Sequence, residues 1–136
     1  LQWQLTSDYS LLWGDGIYGS QGPLRPTQRF WNIKQLASTP ANALALPVSS
    51  SKKNVNCAAF GNLTRGEYAI HIVNNGAGCT AVISGVPAGV TELTAYVTNT
   101  EDCMTATIVK VENGQVRVAL PAVSFISLIS PEAVRR

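Results

Sequence analysis

The sequence predicts a mainly β protein: an antiparallel β-sandwich of about seven to eight strands, preceded by a strand–loop–helix extension. Three observations predict it. From Asn54 to Ile129, short runs of alternating apolar and polar residues recur at roughly 8–12-residue spacing. The runs are cut by Gly61-Asn62, Asn74-Asn75-Gly76, Pro87-Ala88-Gly89, Asn99 and Asn113-Gly114, all turn chemistry. Residues 1–40 do not share this rhythm, which divides the chain into 1–40 and a sandwich over 41–136.

Taken in order, Leu1–Leu5 alternates apolar and polar and predicts a strand over Gln2–Leu5. Thr6–Pro26 is a long connection carrying Trp13, Tyr18, Asp8 and Asp15, and connections of that length are usually functional. Thr27–Ala37 carries helix signals, with Thr27 as the N-cap after Pro26. Phe30, Ile33 and Ala37 fall on one face, which is expected to be the buried one, and Trp31 adds a second contact. The helix should dock on the sandwich through Phe30 or Trp31. Thr39-Pro40 stops it, because a residue before proline avoids the helical region. Ala41–Val48 predicts an edge strand and Ser49–Asn54 a solvated loop.

The sandwich strands are then Val55–Phe60, Glu67–Val73, Thr80–Ser84, Leu93–Thr98, Thr105–Val111, Gln115–Leu120 and Ser124–Ile129. Asn113-Gly114 is the strongest hairpin signal. Asn74–Gly78 predicts a looser turn with positive φ at several positions. Pro121 should mark the bend before the last strand, since it cannot donate to a ladder. Along Glu67–Val73, Tyr68, Ile70 and Ile72 share one face, and Ala69, His71 and Val73 the other. His71 therefore reads as a structural or half-exposed histidine. Tyr68 and Phe125 read as facing the core. Asn62-Leu63-Thr64 matches a glycosylation acceptor, but the asparagine also serves a turn.

Composition narrows the function classes. The chain has 136 residues, is 46% hydrophobic and 13% charged, and carries a net charge of +2. Scattered Lys and Arg, apart from Lys52-Lys53 and Arg135-Arg136, make no nucleic-acid patch. No apolar run approaches the roughly 20 residues of a membrane span. The chain starts without Met and without a basic signal region, so it reads as part of something longer. Cys57, Cys79 and Cys103 show no metal-ligand spacing, and no cofactor motif is present, so neither metal nor cofactor is expected. Cys57 reads as a small buried hydrophobe. Cys79 and Cys103, each near a strand start, are placed to pair if their backbones approach.

The stretch "LQWQLTSDYS", the long loop, the helix "PTQRFWNIKQLA" and the closing "LPAVSFISLI" together resemble the C-terminal end of a bacterial exported (β/α)8-barrel glycoside hydrolase. The likeness is to family 30 and related galactanase- or glucanase-like enzymes. It implies that Leu1–Leu36 is the last β/α unit of the barrel and that about Ala43–Ile129 is the attached sandwich. It implies a secreted, periplasmic or cell-surface location. The implied partners are the catalytic barrel of the same parent protein and a polysaccharide or oligosaccharide. It implies that Trp3 stacks on a sugar at the C-terminal face of the barrel, with Trp13 and Tyr18 as further cleft-lining residues.

The same resemblance puts the two catalytic carboxylates on earlier barrel strands, before Leu1. Glu67, Glu92, Glu101, Asp102, Glu112 and Glu132 sit at strand edges or turns, where solvated surface is expected. Nothing here supplies the carboxyl pair that glycoside hydrolysis needs, nor a Ser-His-acid order. No catalytic residue is therefore expected, although the parent protein is expected to be an enzyme. Two alternatives stand beside this reading. One is a carbohydrate-binding module, disfavoured because residues 49–129 hold only Phe60, Tyr68, Tyr96 and Phe125 as aromatics. The other is an Ig-like structural or adhesion domain, which leaves residues 3–37 without a purpose.

Overall fold

Period-two alternation builds strands, and here it builds enough of them to fold over on themselves. The computed structural model describes residues 11–16 and 21–131. The expected Gln2–Leu5 strand, Trp3 and Tyr18 lie outside the described residues. The elements are β1 (Leu12–Trp13), β2 (Arg25–Pro26), α1 (Gln28–Leu36), β3 (Leu44–Leu46), β4 (Val55–Asn62), β5 (Glu67–Asn74), β6 (Cys79–Ser84), β7 (Glu92–Thr98), β8 (Cys103–Glu112), β9 (Gln115–Leu120) and β10 (Ser124–Ile129).

β3 to β10 form one antiparallel sheet in the order β3-β4-β5-β10-β7-β8-β9-β6. β8 pairs with β7 from Cys103 to Lys110, but with β9 only at Val111 and Glu112. The sheet therefore turns a corner at the end of β8. β9 and β6 swing over as a second layer, which makes the expected sandwich. Ile72, Leu93, Ala95, Val116, Val118, Leu120, Ile126 and Leu128 fill the space between the layers. At about 25 cal/mol per Å² of apolar surface removed from water, this core is the main favourable term in the fold.

Turn chemistry sets the register. Asn113 (φ 52°) and Gly114 (φ 70°) both take left-handed conformations, as a type I′ hairpin between β8 and β9 requires. The Asn74–Gly78 turn differs from expectation: none of its residues has positive φ. The Asn74 side chain organises it instead. Its amide donates to the carbonyls of Ala77, Leu120 and Pro121, and its oxygen accepts from the Gly76 N–H. Gly76 is needed for closeness, since a Cβ there would sit 3.1 Å from Asn54 Cβ. Pro121 lies in the bend between β9 and β10, as expected, where Val123 is forced to φ 45°.

Other expectations change. Thr6–Pro26 is not a plain loop, because β1 and β2 pair within it. Glu67 is not solvated: it is 2% exposed and its Oε1 lies 3.0 Å from Arg65 Nε. Cys57, Cys79 and Cys103 are all free thiols, and β9 separates the strands of the last two. β3 is an edge strand at one end of the sheet. Asn62 serves a turn, donating to Ala41 O and accepting from Arg65 N–H.

Candidate functional site

The helix meets the sheet through polar groups, and this interface is the most specific feature of the described residues. Proline and threonine define α1. Thr27 takes an extended conformation, accepts from Phe30 N–H and donates its hydroxyl to Leu11 O. It thereby ties the helix start to the preceding segment as well as capping it. Thr39, just past the other end, donates to Leu36 O at 2.7 Å.

α1 packs against β7, β8 and β10 on the outer face of the sheet. Which residue it buries corrects the sequence-based expectation. Ile33 is 40% exposed, and Ala37 is exposed too. Gln35 is fully buried instead. The sheet surface below explains the choice, because it presents Thr98, Ser127, His71 and the carbonyls of Tyr96 and Phe125. An apolar residue would strand those groups, whereas a carboxamide pairs them. Phe30 and Trp31 are only half-buried. They meet edge to face at 5.1 Å, with Lys34 Nζ 5.1 Å from the Trp31 ring.

The bonds form one directed chain. Met104 N–H donates to Thr98 Oγ1, whose hydroxyl donates to Gln35 Oε1 at 2.8 Å. Gln35 Nε2 donates to Ser127 Oγ at 3.1 Å and to the carbonyls of Tyr96 and Phe125. Ser127 Oγ lies 2.6 Å from His71 Nδ1, and His71 Nε2 lies 2.8 Å from Thr39 Oγ1. Thr39 spends its proton on Leu36 O, so it accepts from Nε2–H. Nδ1 is then the bare nitrogen and accepts the Ser127 hydroxyl. Every donor is used once His71 is a neutral Nε2–H tautomer. Burial accordingly pushes the His71 pKa below its ordinary 6.5. The ring is stacked on Phe125 at 5.8 Å and flanked by Phe60 at 6.0 Å. Phe125 thus faces the helix side, not the core. His71 is structural, as expected, but buried and not half-exposed.

The arrangement has the look of a serine–histidine couple but not its chemistry. Both side chains are buried, and the far ring nitrogen meets a threonine, with no carboxylate to stabilise an imidazolium. The described acids are spent or dispersed. Glu67 pairs with Arg65, Glu92 with Lys110, and Asp102 accepts from Asn99. No cluster of three or more metal-ligating side chains occurs among the described residues. No described helix is long and apolar enough to cross a membrane.

Beside α1 runs a groove of about 410 Å³, lined among others by Asn32, Ile33, Leu36, Val73, Val123 and Phe125. Gln28 crosses its end by donating to Asn99 O. Asn32 Oδ1 is buried there without a hydrogen-bond partner. Of the expected site residues, Trp13 is half-buried in β1, opposite Arg25 in the β1–β2 ribbon. Sequence reasoning missed Gln35, Thr98 and Ser127. A glutamine in the last turn of an amphipathic helix was the one available signal. Its meaning depends on a sheet face assembled from three strands far along the chain, β5, β7 and β10.

Neither a protein-family model nor a curated protein matches the chain. Solved structures do. A family 30 endoxylanase from Clostridium papyrosolvens superposes with a TM-score of 0.70 at 20% identity, over 77% of this chain and 28% of that one. A family 30 xylanase from Talaromyces cellulolyticus gives 0.68 at 20% identity, over 92% of this chain and 28% of the other. A family 51 α-L-arabinofuranosidase from Bifidobacterium longum gives 0.60 at 12% identity, over 92% and 29%. The chain thus has the fold of one part of these enzymes and spans little more than a quarter of their length. Residues 41–136 are about 71% of the chain, so the 92% matches run on into residues 1–40.

Proposed function

We propose that this chain is the non-catalytic sandwich portion of a secreted carbohydrate-active enzyme, a glycoside hydrolase whose barrel it braces. In this reading residues 1–40 are the last strand, loop and helix of the barrel, and 41–136 the attached sandwich. The observation that carries it is the fold shared with family 30 xylanases, over 77% and 92% of this chain. The polar chain through Gln35 supplies the physical counterpart. It joins α1 to the sandwich by directional bonds, so a barrel ending in that helix would be held at a fixed angle. Trp3, with Trp13 and Tyr18, would contribute aromatic surface to the sugar cleft. A neighbour described as a conserved exported protein from Bacteroides fragilis, with a TM-score of 0.60, is in keeping with secretion.

The test is to express the longer protein that contains these residues and to assay it on xylan and related β-glycans beside the 136-residue chain. Hydrolysis is expected from the longer protein alone. Trp3→Ala in that protein should lower kcat/KM about tenfold or more, the scale of one lost stacking contact of about 1.4 kcal/mol. Unchanged kinetics would remove Trp3 from the cleft. Activity in the 136-residue chain would overturn the non-catalytic assignment.

A further inference from the structure

α1 is held to the sheet mainly by polar bonds. Gln35 is its one fully enclosed residue. The Gln35 carboxamide bonds to Thr98, Ser127 and the carbonyls of Tyr96 and Phe125, and His71 lies next in line behind Ser127. Past the helix end, Thr39 joins His71 Nε2 to Leu36 O. Gln28 adds an outlying tie to Asn99 O. Two separate hydrogen-bonded routes from the helix to the sheet thus meet on one imidazole.

That meeting point works in one protonation state. Nδ1 accepts from the Ser127 hydroxyl, whose oxygen accepts from Gln35. A proton on Nδ1 sets N–H against O–H across 2.6 Å. Ser127 must then turn its hydroxyl away, and among the described residues its oxygen is bonded only to Gln35 and His71. A buried hydroxyl without an acceptor and a buried imidazolium both cost free energy.

Nothing around the ring offsets that cost. Phe60, Phe125, Ser127 and Thr39 surround it, and none carries a charge. The ionisable side chains on the neighbouring elements are Tyr96, Glu67 with its partner Arg65, and Glu92 with its partner Lys110 on the sheet, and Arg29 and Lys34 on the helix. Cys57 and Tyr68, also on β4 and β5, alternate with the residues of this face. None of these groups is bonded to the imidazole or stacked on it. Leu36 O, the helix C-terminal carbonyl that would favour a cation, is reached only through the Thr39 hydroxyl.

We propose that His71 is an acid-sensitive latch: a proton on Nδ1 breaks the line from Ser127 to Gln35 and releases α1 while the sandwich stays folded. The sandwich keeps its own core between the layers, where Ile72, Leu93, Val116, Ile126 and Leu128 pack. α1 has nine residues, too few to persist as a helix once its docked face is let go. In the released state the ring reaches water and takes the proton in its ordinary range, so acid favours release. Burial holding the docked imidazole below that range has the matching sign. If α1 is the last helix of a barrel, release would free the angle between barrel and sandwich. The latch itself belongs to the 136-residue chain and stands without that reading.

The test is amide exchange of the 136-residue chain at about pH 7.5 and about pH 5, corrected for the intrinsic rate at each pH, with the His71 ring-nitrogen shifts followed on the same samples. One proton changes the docking equilibrium by at most about tenfold per pH unit. Protection over Asn32–Leu36 should fall about tenfold, with the same midpoint as the His71 shifts. Protection at Ile72, Ile126 and Leu128 should hold. His71→Gln, whose amide can donate to Thr39 and accept from Ser127, should keep helix protection constant over the range. If that variant does not fold, the shared midpoint in the wild type decides. Helix and core losing protection together would mean general acid unfolding and would overturn the latch. Constant helix protection, a helix midpoint apart from that of His71, or the same loss in a folded His71→Gln would overturn it as well.

Discussion

Gln35 and His71 show how single residues decide an interface. Gln35→Leu keeps the volume but leaves the Thr98 and Ser127 hydroxyls and two carbonyls without their amide partner. Each buried group so orphaned costs about 1–3 kcal/mol, so a loss of about 3 kcal/mol is expected in urea unfolding. A change within 0.5 kcal/mol would mean that water enters and replaces the amide. His71 is the chain's single histidine, so its titration is separable. The folded pKa lies below the ordinary 6.5 because burial disfavours the imidazolium. The unfolded chain therefore binds the proton more tightly than the fold. This contribution to stability is complete above about pH 6.5 and is lost as pH falls from there through the depressed folded value. Unfolding midpoints should drop across that window, and His71→Gln should flatten the profile there. A wild-type profile without slope would count against the neutral tautomer.

At the scale of elements, two turns hold the layers in register. Gly114 sits at φ 70° in the β8–β9 hairpin, where an L side chain is strained. Gly114→Ala should cost about 1–2 kcal/mol without disturbing the core, a loss visible as a lower thermal midpoint. Asn74 matters more, because it joins the β5–β6 turn to the β9–β10 bend through bonds to Ala77, Leu120 and Pro121. Asn74→Ala should destabilise by about 2–3 kcal/mol and speed amide exchange at both turns together, since one side chain serves both. Exchange that rises at only one turn would show that the two are not coupled.

These elements also show which local signals were legible. β9 and β10 have the bounds that alternation predicts, the predicted strands from Val55 to Val111 differ by at most two residues at either end, and the Ala41–Val48 edge strand shrinks to Leu44–Leu46. A two-residue repeat with one face toward the core is a local pattern that survives any arrangement of the layers. α1 was placed correctly by Pro26, Thr27 and Pro40, but its buried face was not, because that depends on what lies opposite. Phe125 was misread for the same reason: in β10 both faces are covered, so apolar content does not say which way a ring points.

For the molecule as a whole, one apolar core joins the two layers. On the proposed reading as part of a longer enzyme, the 136-residue chain is expected to be inert toward glycans and to be less stable alone than within that protein, since packing against the barrel adds stabilisation by linkage. Thermal unfolding of the two should differ by several degrees at the sandwich transition. An equal midpoint would indicate that the sandwich gains nothing from its neighbours.

Strand positions, hairpin chemistry and the helix caps were written in the order of the residues, because each depends on neighbours a few positions away. The face that α1 buries, the directed chain from Thr98 to His71 and the free state of the cysteines belong to the tertiary structure alone. They depend on which strands lie side by side and which layer falls over which. Antiparallel alternation leaves that order open, and only closure of the whole sheet decides it.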